Sequence, residues 1–150
     1  MKENPFIGTW ALVSFEVRST NGTVRYPFGQ EVRGYIAYSQ DGYVSVAFMS
    51  AHRPNFQSNY FRGGSADEKA AAFDTYDSYF GTYEIRGEKV VHHLEVSVYP
   101  NWTGTDQERY YTFDGDQLIL STPPLAFEDA VQTGYLVWKR VGTIGTLTKE

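Results

Sequence analysis

The run Lys89-Val90-Val91-His92-His93-Leu94-Glu95-Val96-Ser97-Val98-Tyr99 alternates in polarity as a strand with one buried face does. Val90, His92, Leu94, Val96 and Val98 fall on one side, and Val91, His93, Glu95, Ser97 and Tyr99 on the other. The first set is predicted to face the interior, which points His92 inward and leaves His93, beside Glu95, in solvent. A second alternating run, 106–113, follows Pro100-Asn101-Trp102-Thr103-Gly104 and is predicted to be the hairpin partner.

Working outward, further extended segments read near 9–18, 24–26, 34–40, 43–50, 79–86, 117–122 and 134–141. Asp41-Gly42, Arg86-Gly87 and Asp114-Gly115 put a residue tolerant of positive φ between apolar runs, as tight hairpins require. Such a succession is an antiparallel meander and not a series of βαβ units. Eight or more long strands in a meander can close into an all-β, up-and-down barrel with room for one small ligand. An open sandwich is the alternative. One helix is predicted over 66–77, where Ser65 and Glu68 form a capping box ahead of a narrow stripe of Ala66, Ala70, Ala72, Phe73 and Tyr76. The segment 50–64 is either a lid or an insertion packed on the outside of the barrel. Residues 142–150 carry no pattern and read as a loose tail on one domain spanning 1–150, with its core over about 6–141.

Composition narrows function by exclusion. The chain has no cysteine, which removes disulfides, thiolate metal sites and cysteine nucleophiles. Thirteen basic against eighteen acidic side chains give a net charge of −5, with no basic cluster to meet nucleic acid. The opening Met1–Ile7 has no apolar run, so neither a signal peptide nor a membrane anchor is expected, and the location is predicted to be cytoplasmic. The sequons Asn21-Gly22-Thr23 and Asn101-Trp102-Thr103 are then read as turns. No nucleophile elbow, phosphate loop or dinucleotide fingerprint is present, and no cofactor is named. The His92-His93 pair cannot hold one metal ion, because adjacent strand residues face opposite sides.

Aromatic residues make 17% of the chain, and their positions suggest a cavity as well as a core. Tyr43, Ser45, Ala47 and Met49 share one face of their strand, and Tyr79, Gly81, Tyr83 and Ile85 share one of theirs. Small residues among tyrosines leave volume beside hydroxyls. Burial among valines lowers the pKa of His92, whether it is a hydrogen-bonded core residue or a neutral general base. Gln107, Arg109, Tyr111 and Phe113 lie on one face of 106–113. If that face points in, Arg109 is a buried cation whose partner is an internal carboxylate such as Glu84, or a ligand carboxylate or enolate oxygen.

Gly8-Thr9-Trp10, together with Trp138-Lys139-Arg140, is similar to the Gly-x-Trp and closing-Arg signature of lipocalins. Pro27-Phe28-Gly29, Asp41-Gly42-Tyr43, Arg53-Pro54, Tyr79-Phe80-Gly81-Thr82-Tyr83, His92-His93, Pro100-Asn101-Trp102-Thr103-Gly104 and Arg109 resemble the motif string of bacterial and fungal lipocalin-like domain proteins, from about Phe6 to Arg140. The resemblance implies a lipocalin-like barrel in which Trp10 closes one end and Arg140 lies across its ring. It is compatible with a binder of a small apolar or amphipathic molecule, and with a cofactor-independent cyclase or isomerase of a natural-product pathway. A structural interaction module is a third reading, which gives no reason for polar groups inside. The anchors predicted for a ligand are His92, Arg109, Tyr79, Tyr83 and Tyr111, joined by Tyr43, Met49, Arg53 and Trp102. In an enzyme, Arg109 would stabilise an oxyanion while His92 or Tyr43 moved a proton. No membrane or nucleic-acid partner is expected, and the chain is read as a monomer or homodimer.

Overall fold

The computed structural model describes residues 3–127, 129–145 and 147. Ten strands run in chain order: β1 (Gly8–Ser19), β2 (Val24–Arg25), β3 (Val32–Tyr38), β4 (Tyr43–Ser50), β5 (Tyr76–Arg86), β6 (Lys89–Ser97), β7 (Asp106–Asp114), β8 (Gln117–Ser121), β9 (Leu125–Phe127) and β10 (Ala130–Arg140). The helix α1 (Ala66–Asp74) lies between β4 and β5, and Pro100–Trp102 forms a short 3-10 turn between β6 and β7. All pairings are antiparallel, in the order β2-β1-β3-β4-β5-β6-β7-β8-β10-β9. Pairing of β1 with β10, from Trp10 opposite Arg140 to Ser19 opposite Gln132, closes eight strands into a barrel. Closure leaves no edge on those eight. β2 and β9 are short additions outside the closed ring.

The two ends differ. Tight turns through Gly42, Gly87 and Gly115, each at positive φ, lie at one end with the N-terminal segment, and Phe6 is fully buried there. Trp10 donates its indole N–H to the Phe6 carbonyl at 3.0 Å. Arg140 stacks 4.0 Å over the Trp10 ring and donates to the carbonyls of Ile7 and Pro5 at 2.8 and 2.7 Å. This is the closure the resemblance implies. The four longer connections, including 51–75 with α1, lie at the other end.

Several expectations need correction. The inward face of β4 is Val44, Val46 and Phe48, so Tyr43, Ser45, Ala47 and Met49 point outward. Alternation separates two faces but does not say which one the barrel buries, and the larger apolar set takes the interior. In β6, Phe80 pairs with Val96 but Gly81 pairs with Leu94, so Glu95 is an extra residue in a bulge. Parity inverts beyond it: Val96 is 63% exposed, and Ser97 turns in opposite Tyr79. The same bulge explains Gly81, where a Cβ would sit 1.8 Å from the His93 carbonyl oxygen. That glycine permits backbone approach; it was not placed to enlarge a cavity.

The Ser65–Glu68 capping box forms as expected, but α1 ends at Asp74 and buries none of its residues. Tyr76 and Asp77 instead join β5, opposite Met49 and Phe48. Ladder hydrogen bonds there outweigh a weak helical stripe. The hairpin of β9 with Ala130–Gln132 was not anticipated from the sequence. Asn21 accepts from the Thr23 backbone N–H at 3.0 Å, in the turn chemistry expected of it. Of the anticipated tail, 142–145 and 147 carry no helix or strand, and 146 and 148–150 lie outside the described residues, as do Met1 and Lys2 of the opening segment. Among the described residues no helix is long and apolar enough to cross a membrane.

Candidate ligand-binding site

Inward alternation on β3, β5 and β6 brings three side chains together within the barrel. His92 is fully buried; its Nε2 lies 2.7 Å from the Tyr38 hydroxyl and its Nδ1 2.6 Å from the Tyr79 hydroxyl. Burial lowers the His92 pKa to about 3, with the Arg109 and His93 charges adding to the effect. The imidazole is therefore neutral. Desolvation pushes Tyr79 up to about 12 and raises Tyr38 well above the ordinary tyrosine value.

Arg109, from β7, supplies the charge. Its inward neighbours Tyr111 and Phe113 pack on Phe6, at 4.9 and 5.0 Å between ring centroids, as the face assignment requires. The guanidinium lies 5.9 Å from the Trp102 ring, and Nη1 donates to the Glu108 carbonyl at 2.8 Å. Trp102 comes from the 3-10 turn and packs edge-on against Tyr79 at 6.4 Å. Glu84 is not the partner of Arg109. It lies outside, bonded to Arg86 at 2.5 Å and to His93 at 2.8 Å. Among the described residues Asp77 is an acid of the interior; burial raises its carboxyl pKa, opposed in part by the Ser78 backbone N–H and then by the Arg109 charge.

The remaining candidates separate from this cluster. The Tyr83 hydroxyl donates to the Ser39 carbonyl and accepts from Asn4, at 2.8 and 2.9 Å, and the Tyr111 hydroxyl donates to the Gly87 carbonyl at 2.8 Å. Both belong to the closed end. Tyr43 stacks on Phe80 at 5.7 Å on the outer surface. Met49 and Arg53 border a cleft of about 940 Å³ between α1 and the segment 51–57, with Pro54, Phe56, Ala71 and Ala72. There Arg53 donates to the Ala72 carbonyl and the Thr75 hydroxyl, at 3.0 and 3.1 Å, and lies 5.4 Å from the Tyr76 ring. The start of the 50–64 segment thus packs on outward-facing side chains of β4 and β5. Exposed Tyr60 and Phe61 follow it.

Four lumen residues were missed from the sequence. Tyr38 shares the inward face of Ile36 but sat unremarked at the end of its strand. Asp77 was absorbed into the predicted helix, and Ser97 was turned outward by ignoring the bulge. Trp138 enters the sequence reading only as part of the closing Trp138-Lys139-Arg140 signature. Its indole N–H and the Ser97 hydroxyl are buried without a hydrogen-bond partner.

The class these features define is a closed barrel with a plugged end and a polar cluster inside. The lipocalin-like domain pattern matches residues 7–141, and the chain belongs to that family. It is similar to the 4'-hydroxy-3'-methoxypropiophenone carrier protein ppsC of Aspergillus oryzae, at 33% identity over 107 residues, which cover 65% of this chain and 96% of the carrier. Among solved structures it resembles an uncharacterized protein of Bacteroides eggerthii at 14% identity and a TM-score of 0.46, covering 89% of this chain and 98% of that one. A mutant of the fluorescent protein UnaG is similar at 14% identity and a TM-score of 0.36, covering 90% of this chain and 95% of that one.

Proposed function

We propose that the protein is a carrier that encloses one small, flat, amphipathic aromatic molecule in the barrel lumen, within a natural-product pathway. The observation that carries this reading is the cluster of His92, Tyr38, Tyr79, Trp102 and Arg109 inside an otherwise aromatic interior. A barrel that only needed a core would fill those positions with Leu and Ile and would not set a half-buried guanidinium beside an indole ring. The carrier from Aspergillus oryzae supports the same reading, because its cargo is a phenolic ketone of this size and polarity.

The electrostatics favour carriage over cyclase or isomerase chemistry. A histidine at about 3 is a weak base, and a tyrosine at about 12 is a weak acid, so neither is matched to proton transfer near neutral pH. One chain builds the whole lumen, which suits a monomer, and a cysteine-free chain suits a reducing cytoplasm. The net charge of −5 disfavours a nucleic-acid partner.

Titration with 4'-hydroxy-3'-methoxypropiophenone, followed by tryptophan fluorescence, tests the reading. Saturation near about one molecule per chain is expected for a single pocket, with the ligand recovered unchanged. Absence of saturable binding for this ketone and for a panel of environment-sensitive apolar dyes overturns it, and conversion of the ketone replaces carriage by catalysis.

A further inference from the structure

Several hydrogen-bond donors inside this barrel have no acceptor among the described residues. A neutral imidazole has one N–H and one lone pair, so of the two tyrosines on His92 one donates and the other accepts. Whichever accepts still has its own O–H to give, because Tyr38 and Tyr79 have no other hydrogen bond among the described residues. The Trp138 N–H, on a side chain that is 1% exposed, has no acceptor, and neither has the Ser97 hydroxyl. Arg109 spends one of its five N–H groups, on the Glu108 carbonyl, and forms no ion pair among the described residues. Arg109 is half-buried, whereas the Trp138, Ser97 and tyrosine donors are buried, and buried donors are rarely left idle in a folded protein.

The Arg109 charge acts on Tyr38 from β3, Asp77 and Tyr79 from β5, and His92 from β6. His92 and both tyrosines are neutral at neutral pH, so among the described residues Asp77 is the acid that shares Arg109 with a ligand; burial disfavours its charged form, while the Ser78 backbone N–H and Arg109 itself favour it. Lys89 and Glu108 pair with each other, and His93 pairs with Glu84 and Asp106, so these charges are already matched.

We propose that the lumen takes its aromatic ligand as an oxyanion, the conjugate base of a phenol conjugated to a carbonyl, with Arg109 as counter-ion and the spare O–H and N–H groups as donors to its oxygens. This rests on the carrier reading and adds the ionisation state. The aromatic faces of Trp102 and Tyr79 suit a planar anion whose charge is spread over a ring, and the guanidinium already lies against Trp102.

The probes are 4'-hydroxy-3'-methoxypropiophenone, whose phenolate absorbs at longer wavelength than its phenol, and its 4'-O-methyl ether, which cannot ionise. The bound phenol is expected to titrate at least about one pH unit below the free one, a preference of about tenfold for the anion. The ether should bind about tenfold or more weakly than the phenol at a pH above the free phenol's pKa. Arg109→Met should abolish the spectral shift, Arg109→Lys should keep part of it, and Asp77→Asn should tighten the anion further. Thermal melting of each variant separates loss of binding from loss of fold. Equal affinity for phenol and ether with no red shift overturns the oxyanion and leaves the carrier standing. Failure of both probes to bind overturns the carrier reading, and the oxyanion with it.

Discussion

The closed end of the barrel and the lumen above it use the same residue types to opposite effect. Trp10 gives its indole N–H to a carbonyl, while Trp138 gives its own to nothing. Arg140 donates to two carbonyls and lies 4.0 Å over an indole; Arg109 has one carbonyl and lies 5.9 Å from its indole. Tyr83 and Tyr111 end on backbone oxygens, whereas Tyr38 and Tyr79 share one imidazole and keep a proton between them. Satisfied groups hold the chain in place, and unsatisfied ones in a native interior call for something outside the chain. The difference teaches that residue type alone does not distinguish an anchor of the fold from an anchor of a ligand. The count of partners does.

The comparison breaks first at the closed end if it is wrong. Trp10→Ala removes a large buried ring with its hydrogen bond and the surface Arg140 covers, and should cost about 3–5 kcal/mol in urea unfolding. A loss below about 1 kcal/mol would show that this end does not anchor the barrel.

Next in size is the behaviour of His92 in acid. Its folded pKa of about 3 lies below the unfolded value, so the unfolded chain takes up the proton first. The contribution is fully present above about pH 6.5 and is lost as pH falls towards 3, at up to about 1.4 kcal/mol per pH unit. His92→Phe should flatten this slope, and should cost about 1–3 kcal/mol near neutral pH because two buried tyrosine hydroxyls lose their partner. Urea titrations of parent and variant at a series of pH values from about 7 to about 4 measure both. A variant that keeps the parent's slope would place the acid sensitivity elsewhere.

The two arginines sharpen the contrast. Arg140→Met should lower stability by about 1–2 kcal/mol through two lost hydrogen bonds and the cation–π contact. Arg109→Met should leave the melting temperature nearly unchanged or raise it, while weakening ligand binding. Equal destabilisation by both would make Arg109 part of the fold.

The smallest effect is expected at His93, which bonds Asp106 at 2.6 Å and Glu84 at 2.8 Å, contacts that raise its pKa. Stability from these pairs is present below the ordinary histidine value and is lost as pH rises through the raised one, the reverse of His92. Partial exposure keeps it under about 1 kcal/mol. His93→Gln should remove that pH dependence in thermal melts at about pH 6 and about pH 9, and no difference between parent and variant would mean the pairs contribute nothing.

Much of this protein is legible in the residues themselves. Alternation in 43–50, 89–94 and 106–113, with Asp41-Gly42 and Asp114-Gly115 between strands, determines a meander, because side-chain parity and positive-φ turns are local properties. The same parity turns His92 inward and puts Arg109 on one face with Tyr111 and Phe113, without saying which way that face points. What it leaves open depends on partners distant in the chain. Closure of β1 on β10 selects Val44 and not Tyr43 for the interior; a bulge at Glu95, accommodated by Gly81 on the neighbouring strand, turns Ser97 in. Tyr38 meets His92 across a separation of 54 residues, and no window along the sequence contains both. Whether a buried donor has an acceptor is likewise a question about space: the identity of Trp138 and Ser97 could be read from the chain, but their lack of a partner among the described residues was decided by the tertiary structure alone.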